Sequence, residues 1–537
     1  SATTCPSSPI GGGSITPMVG RSSWLVLAIV CACTKDPPPP PPQQDPIVAI
    51  AAALHGASTA GPVATIHVAL RGADVASVEQ QVLVPLEHAA SRTPGVTGLA
   101  GVAFPDRAQL SVTFEPNTDP YAAMTALRDA LPLDMLPPGA DSPVIERIDR
   151  DALPLFAMFP DAATAEARGP DGETAITRLA YAVMREPGVA RARWCGVMHD
   201  VLVVDVDVTK LAAFGIGIDR VLDVTQGDML RPVTLAEVTE AVLGTVRLRD
   251  VATLSTESRE GSCTVVGPTR APTIAIWAKP EGIANAKRVL QAQPALRLFT
   301  TDDPLAIVNT TLAPDERRAI VSRWLARDNA PAWLVQEGDE EAWLLASPST
   351  SLRSFSMAAA NDLHMWWPDA PPPLSARVCG DDLEVITQAA LKFAMVSFDD
   401  LLDDVAVWIP PSRPQRTFTV DREAVARHGI SMYELQRLAP LLVGEELRVR
   451  EDLVVRVALP SATALTVKGS TGTTVPVSSL GTVLLDTQPA FITRFDRQRC
   501  IAVDLQPRRA EDRAKIEALV QQRIELPVGV YVQIPAA

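Results

Sequence analysis

The sequence predicts an α+β chain that is internally duplicated, built from several split β-α-β sandwiches with smaller pieces inserted, and without a transmembrane bundle. Three observations carry that expectation. The stretch 203–224, VVDVDVTKLAAFGIGIDRVLDV, returns altered at 417–438 as TFTVDREAVARHGISMYELQRL. Asp207 matches Asp421, Gly215-Ile216 matches Gly429-Ile430, and Val221 matches Leu435, all at one constant spacing. Residues 274–280 (IAIWAKP) are echoed in the same order by 501–507 (IAVDLQP), so two homologous halves are the natural reading of the repeat. Finally, no window after residue 34 has the roughly twenty apolar residues of a spanning helix.

Each copy of the repeated unit reads as a strand ending in Val-Asp, a short helix, a glycine turn and a second helix. Aspartate suits the N-cap and glycine the left-handed position that closes a helix, so the anchors have local reasons. Composition sets wider bounds. With 537 residues there is room for roughly three or four domains. Hydrophobic residues make up 47% and aromatics only 5%, so aliphatic packing has to dominate the core. The net charge of −15 and the absence of a basic stripe argue against a nucleic-acid partner.

Taken in order, residues 18–33 have the outline of a secretory signal: Arg21, a short apolar run, then small residues and cysteine. Val30-Cys31-Ala32-Cys33 resembles the bacterial lipobox, which implies lipidation at Cys33. Residues 34–60 are then a linker, with Pro37 to Pro42 as a stiff spacer. A folded unit is expected at 61–150. Its strand at 63–70 is followed by an apolar-striped helix at 74–92 with a kink at Pro85. Two strands at 96–104 and 109–114, a helix capped at Asp119 and a strand near 143–148 complete it. That order, βαββαβ, is the ferredoxin-like sandwich.

Here the motifs carry a resemblance. Gly72-Ala73-Asp74, then Val78-Glu79-Gln80-Gln81-Val82 with Pro85-Leu86-Glu87, Pro94-Gly95-Val96, Phe114-Glu115-Pro116 and Leu136-Pro137-Pro138-Gly139-Ala140 resemble the first porter subdomain of resistance-nodulation-division (RND) efflux pumps. The resemblance implies a second porter-like subdomain at 151–204 and 260–303, interrupted by a short docking-like insertion at 205–259. It implies a reduced third one at 304–373, with Trp-bearing strands near Trp333 and Trp343. A fourth follows at 374–416 and 487–537, interrupted by a second docking-like insertion at 417–486. Asp207, Gly215, Asp421 and Gly429 are then the docking element.

The same resemblance implies a periplasmic, lipid-anchored protein whose partners are RND pump, adaptor or outer-membrane channel subunits, in a homo- or hetero-trimer. The family's proton relay lies in membrane helices, so this chain is expected to be an accessory or binding subunit of a transport assembly and not a pump by itself. The alternative is a stand-alone envelope lipoprotein that binds an apolar small molecule or lipid, or a structural subunit. By position, Phe156, Met158, Phe159 and Trp194 would line a ligand cleft, although strand alternation must send part of that set into core.

Catalytic chemistry is not expected. The six histidines are scattered, without an i, i+4 pair. Gly469 to Thr474 looks like a phosphate loop but lacks its lysine, and reads as a hairpin turn. Met357, Met365 and Met395 would be the soft-metal candidates, yet methionine more often fills cores, so neither metal nor cofactor is expected. Cys195, Cys263, Cys379 and Cys500 allow three pairings, with isolated buried thiols an equal alternative.

Overall fold

Alternating apolar residues make Val63–Ala69 the first strand (β1), followed by β2 (Val96–Phe104), β3 (Arg107–Phe114) and β4 (Val144–Ile148). The computed structural model describes residues 62–534, less 132–134, 138, 149–151, 170–172, 227–234, 262, 270, 294, 300–304, 311–317, 320, 324–331, 338–340, 347–362, 367–373, 395–400, 451–452, 459–463, 470–471 and 524–525. The signal at 18–33 with Cys33, the linker and Met357 and Met395 lie outside the described residues. Every described residue belongs to one compact unit within 45–537.

In the first sandwich the strands run β2-β3-β1-β4, all antiparallel, with Ile66 opposite Leu110 in the centre. One face is closed by a kinked helix in three pieces: Val75–Val78, a π-helical turn Glu79–Leu83, and Val84–Ala90. Asp74 caps it by accepting the Ser77 N–H at 2.6 Å. Proline removes one helical hydrogen bond and crowds the preceding turn, and the π turn immediately before Pro85 absorbs that misfit. Val78, Val82 and Leu86 from the helix meet Ile66, Leu110, Val112 and Phe114 from the sheet.

The second sandwich begins with β5 (Leu153–Met158) and β6 (Val189–Cys195). It is then left for β7 (Met198–Val206), β8 (Val242–Leu243), β9 (Val246–Arg247), β10 (Ala252–Glu260) and β11 (Cys263–Val266), and resumed by β12 (Thr273–Ala278) and β13 (Arg297–Phe299). Its order is β13-β5-β12-β6. The helices Ala175–Met184 and Pro280–Gln291 cover one face. A third set, β14 (Leu305–Thr310), β15 (Ala332–Glu337), β16 (Glu341–Ala346) and β17 (Leu363–Trp366), runs β17-β14-β16-β15 and is extended by β11 on β15. The reduced third unit thus carries its Trp333 and Trp343 strands as the hairpin β15–β16.

The fourth set opens with β18 (Leu374–Cys379) and β19 (Leu402–Val407). After β20 (Ser412–Val420), β21 (Leu447–Arg450), β22 (Leu453–Val457), β23 (Thr466–Lys468), β24 (Thr474–Pro476), β25 (Gly481–Pro489) and β26 (Ile492–Phe495), it closes with β27 (Gln498–Pro507) and β28 (Tyr531–Gln533). Its order is β28-β18-β27-β19. Numbered within each unit, all four sheets therefore run fourth, first, third, second strand, the ferredoxin-like order.

The units are also joined. Strand β26 pairs with β2 on one side and β27 on the other, so the first and fourth sandwiches share one continuous sheet. The loop from Gly469, read as a hairpin turn, does close the β23–β24 pair. Among the described residues no helix is long and apolar enough to cross a membrane.

Candidate functional site

The two copies of the repeated unit adopt one geometry. Asp207 (φ −87°, ψ 98°) accepts the N–H groups of Thr209 and Lys210 at 3.0 and 3.2 Å. Asp421 (φ −83°, ψ 97°) accepts those of Glu423 and Ala424 at 3.0 Å each. Each short helix, Val208–Ala213 and Arg422–Arg427, ends in a left-handed glycine: Gly215 at φ +65° and Gly429 at +61°. The following Ile216 and Ile430 N–H groups return to Leu211 and Val425 carbonyls at 3.0 and 3.1 Å. Truncating Asp421 to alanine should cost about 0.5–2 kcal/mol, and asparagine should recover most of it. Urea denaturation of the two variants checks this.

A third echo escaped the sequence reading. The Asp207 N–H donates to Val251 O at 2.9 Å, and the Asp421 N–H to Leu480 O at 2.8 Å. The segments supplying those carbonyls, VRLRDVATL from Val246 and VPVSSLGTV from Val475, align position by position. Only Val246/Val475 and Thr253/Thr482 are identical, so the signal lay in hydrophobic spacing and not in identity.

The copies are not separate insertions in space. Val208, Leu211, Ile218 and Val221 from one share a core with Val425, Ile430, Leu435 and Leu438 from the other. Strands from both halves form one sheet, β10-β7-β22-β21, in which β7 and β22 are parallel. Strand β7 starts at Met198, ahead of the boundary expected at 205. A ring of four charges crosses this sheet: Arg456 grips Glu257 through both terminal nitrogens at 2.7 and 2.8 Å. Arg259 bonds Glu257 at 2.6 Å and Glu446 at 3.0 Å, and Arg456 Nε also reaches Glu446. The Arg456 and Arg259 hydrogen bonds hold Glu257 down at about 2. Beside the ring a cleft of about 430 Å³ is lined by Asp205, Asp207, Gly444, Glu445, Glu446 and Arg456.

The four proposed cleft residues are not brought together. Phe156 and Met158 face the third sandwich and are buried in a layer with Trp277, Phe299, Trp333 and Trp343. Phe159 is buried on the opposite face, under the helices. Trp194 lies on that helix side at the sheet edge, 37% exposed, its ring edge-on to Tyr181 at 5.8 Å. Alternation placed the side chains on the right faces. What it missed is that the third sheet packs directly over Phe156 and Met158, so these residues and Phe159 fill core where a cleft was expected. Met365 sits on β17, and no cluster of three or more His, Cys, Asp or Glu is placed to hold a metal among the described residues. The cysteines pair as Cys195–Cys263 and Cys379–Cys500, which removes the alternative of isolated thiols.

Sequence reasoning also missed a buried charge cluster between the halves. Arg494 donates through Nε to both oxygens of Glu87 at 3.1 and 3.0 Å and through Nη1 to Glu79 at 2.9 Å. Arg499 Nε adds a 2.7 Å bond to Glu79. Both glutamates are fully buried. Burial pushes Glu87 above the ordinary carboxylate range, against the pull of Arg494.

Comparison with known proteins agrees with this architecture. Residues 58–231 match the AcrB/AcrD/AcrF family. Among solved structures, the chain is similar to a heavy metal efflux pump determined by X-ray crystallography. The alignment covers 88% of this chain and 79% of that one, with a TM-score of 0.67 and 12% sequence identity. At that identity the likeness speaks for the fold. No curated protein matches the chain.

Proposed function

We propose that this chain is an accessory or binding subunit of an efflux or transport assembly, held at the periplasmic face of a bacterial membrane. The observation that carries this reading is the preservation of both docking-like copies, bond for bond, within one shared core. Nothing in the sandwiches' own strand order requires two such units, so their upkeep points to a contact made outside the chain. Similarity to the AcrB/AcrD/AcrF family over 58–231 supports efflux as the setting. The partners would be pump, adaptor or channel subunits, in a trimeric assembly, and Cys33 would carry the lipid. Capture from detergent-solubilised envelopes should recover such a subunit. Recovery of none, together with a strictly monomeric mass by light scattering, would sink the reading.

One observation favours a second reading, binding of an apolar small molecule. In the aromatic layer between the second and third sandwiches, the indole N–H groups of Trp333 and Trp343 are buried without an acceptor among the described residues. A buried donor left unpaired costs about 1–3 kcal/mol, and an apolar ligand bearing one carbonyl or ether oxygen would relieve it. The layer would have to part to admit it. A native mass spectrometry screen of envelope lipids and apolar drugs that found no adduct would count against this reading.

A further inference from the structure

The turn between β26 and β27 carries an arginine where glycine would sit without strain. Phe495 pairs with Gln498, so Asp496 and Arg497 form a two-residue turn. Both are left-handed, at φ +47° and +72°. Such turns favour Asn-Gly, because the left-handed second position strains any residue with a Cβ. The conformation is held by bonds that do not involve the arginine side chain. The Asp496 N–H donates to Leu99 O at 2.8 Å, and its Oδ1 accepts the Leu99 N–H at 3.0 Å. The Arg497 carbonyl accepts Arg494 Nη2. Glycine at 497 would keep every one of these bonds, so the backbone has no use for the guanidinium.

Arg497 instead lines a cavity of about 300 Å³ with Gln80, Asp381, Arg494, Gln498 and Arg499, every one a polar residue. It is exposed, acts on the buried Glu87 only as a distant charge, and makes no side-chain hydrogen bond or ion pair among the described residues. The other two arginines are partly spent. Arg494 and Arg499 neutralise the buried Glu87 and Glu79, and Arg499 Nη1 donates to Asp381 O at 3.1 Å. A guanidinium has five N–H donors, so each Nη of both residues keeps a second N–H beyond those bonds. Neighbouring acids are already engaged. Asp382 accepts the N–H groups of Glu384 and Val385 at 2.9 and 3.1 Å, and Asp496 that of Leu99. The Asp381 carboxylate is left as an acceptor with no bonded donor among the described residues.

We propose that this cavity binds a tetrahedral oxyanion that keeps a hydroxyl, either hydrogen phosphate or the singly ionised phosphate of a monoester, with Arg497 as its cation. Guanidinium groups match phosphate oxygens through paired N–H donors, and three of them line the cavity. Asp381 sets the selectivity. An ionised carboxylate only accepts, so it takes a hydrogen bond from a P–OH but meets only lone pairs on sulfate and repels it. The Gln80 and Gln498 amides can donate or accept to complete the shell. Gln80 comes from the first sandwich and the other five residues from the second half of the chain, so the site exists only where the halves meet. The inference does not rest on the assembly reading.

The test is isothermal titration calorimetry on the full chain at about pH 5.5, below the second ionisation of a phosphate monoester at about 6, so that both phosphates carry a hydroxyl. Inorganic phosphate and glycerol phosphate should bind, with sulfate about tenfold weaker or worse. Whichever phosphate binds tighter names the source, free ion or monoester. Arg497→Gly should weaken phosphate binding by about tenfold or more. Its urea midpoint should be no lower than that of the wild type, since glycine relieves the turn. Asp381→Asn should raise sulfate binding toward that of phosphate. Four results would each overturn the proposal: no phosphate binding, sulfate bound as tightly as phosphate by the wild type, undiminished phosphate binding in Arg497→Gly, or sulfate bound no better by Asp381→Asn.

Discussion

Replacing Arg494 with leucine should destabilise the chain by about 3–5 kcal/mol at neutral pH, the range for stranding a buried carboxylate. The substitution removes the bonds to Glu87 at 3.0 and 3.1 Å and to Glu79 at 2.9 Å. Both glutamates belong to the helix that covers the first sheet and are buried there, where water cannot replace the guanidinium. Arg499 still compensates Glu79, so the stranded charge is Glu87. Without Arg494 its carboxyl must fold protonated, so the loss should shrink as pH falls toward the unfolded carboxylate value near about 4.3. Adding Glu87→Leu should restore much of the stability, because a pair replaced together leaves no orphan. Urea denaturation at two pH values measures all three quantities. A loss under about 1 kcal/mol at neutral pH would show that the cluster is not a structural bolt.

That cluster marks where the sequence stops being legible. The helix at 74–92 reads correctly as amphipathic, since its apolar stripe and Asp74 cap are local properties. The burial of its two glutamates has no local signal, because their partners arrive more than 400 residues later, on β26 and β27. The same limit applies to Phe156 and Met158. Their facing could be read from the two-residue period of β5, but what lies over that face depends on the third sheet. Of that sheet, only the Trp333 and Trp343 strands were anticipated.

The repeated unit was legible for the opposite reason. An N-cap aspartate, a left-handed glycine and an isoleucine that packs beneath it are each required by local backbone geometry, so the residues persist while the rest drifts. The partner segments from Val246 and Val475 carry only a hydrophobic spacing and two identities, and structure was needed to pair them. The two interrupted sandwiches show the same contrast. Strand and helix order in the second unit was readable because each piece is periodic. The joining of first and fourth sheets through β26 was not, since a four-residue strand has too short a pattern to declare its partners.

Removing the Cys379–Cys500 bridge by Cys379→Ala with Cys500→Ala should cost about 4–5 kcal/mol, comparable to the loss of Arg494. The bridge joins adjacent strands, with Cys379 directly opposite Cys500 in the β18–β27 register. In sequence it closes a span of 121 residues that contains the whole second docking-like piece. The unfolded chain is therefore strongly restricted by a bond that changes little in the folded sheet. Cys195–Cys263 closes 68 residues at the base of the first piece, where β6 leaves the second sandwich and β11 enters the third. Chain entropy makes its removal only about 0.5 kcal/mol less costly, since the term grows with the logarithm of loop length. A much larger gap between the two double variants would assign the effect to packing around one bridge and not to the unfolded state. Mapping of a non-reducing digest should recover these two pairs. Any other pairing among the four cysteines would contradict the placement of β18 beside β27 and of the end of β6 beside β11.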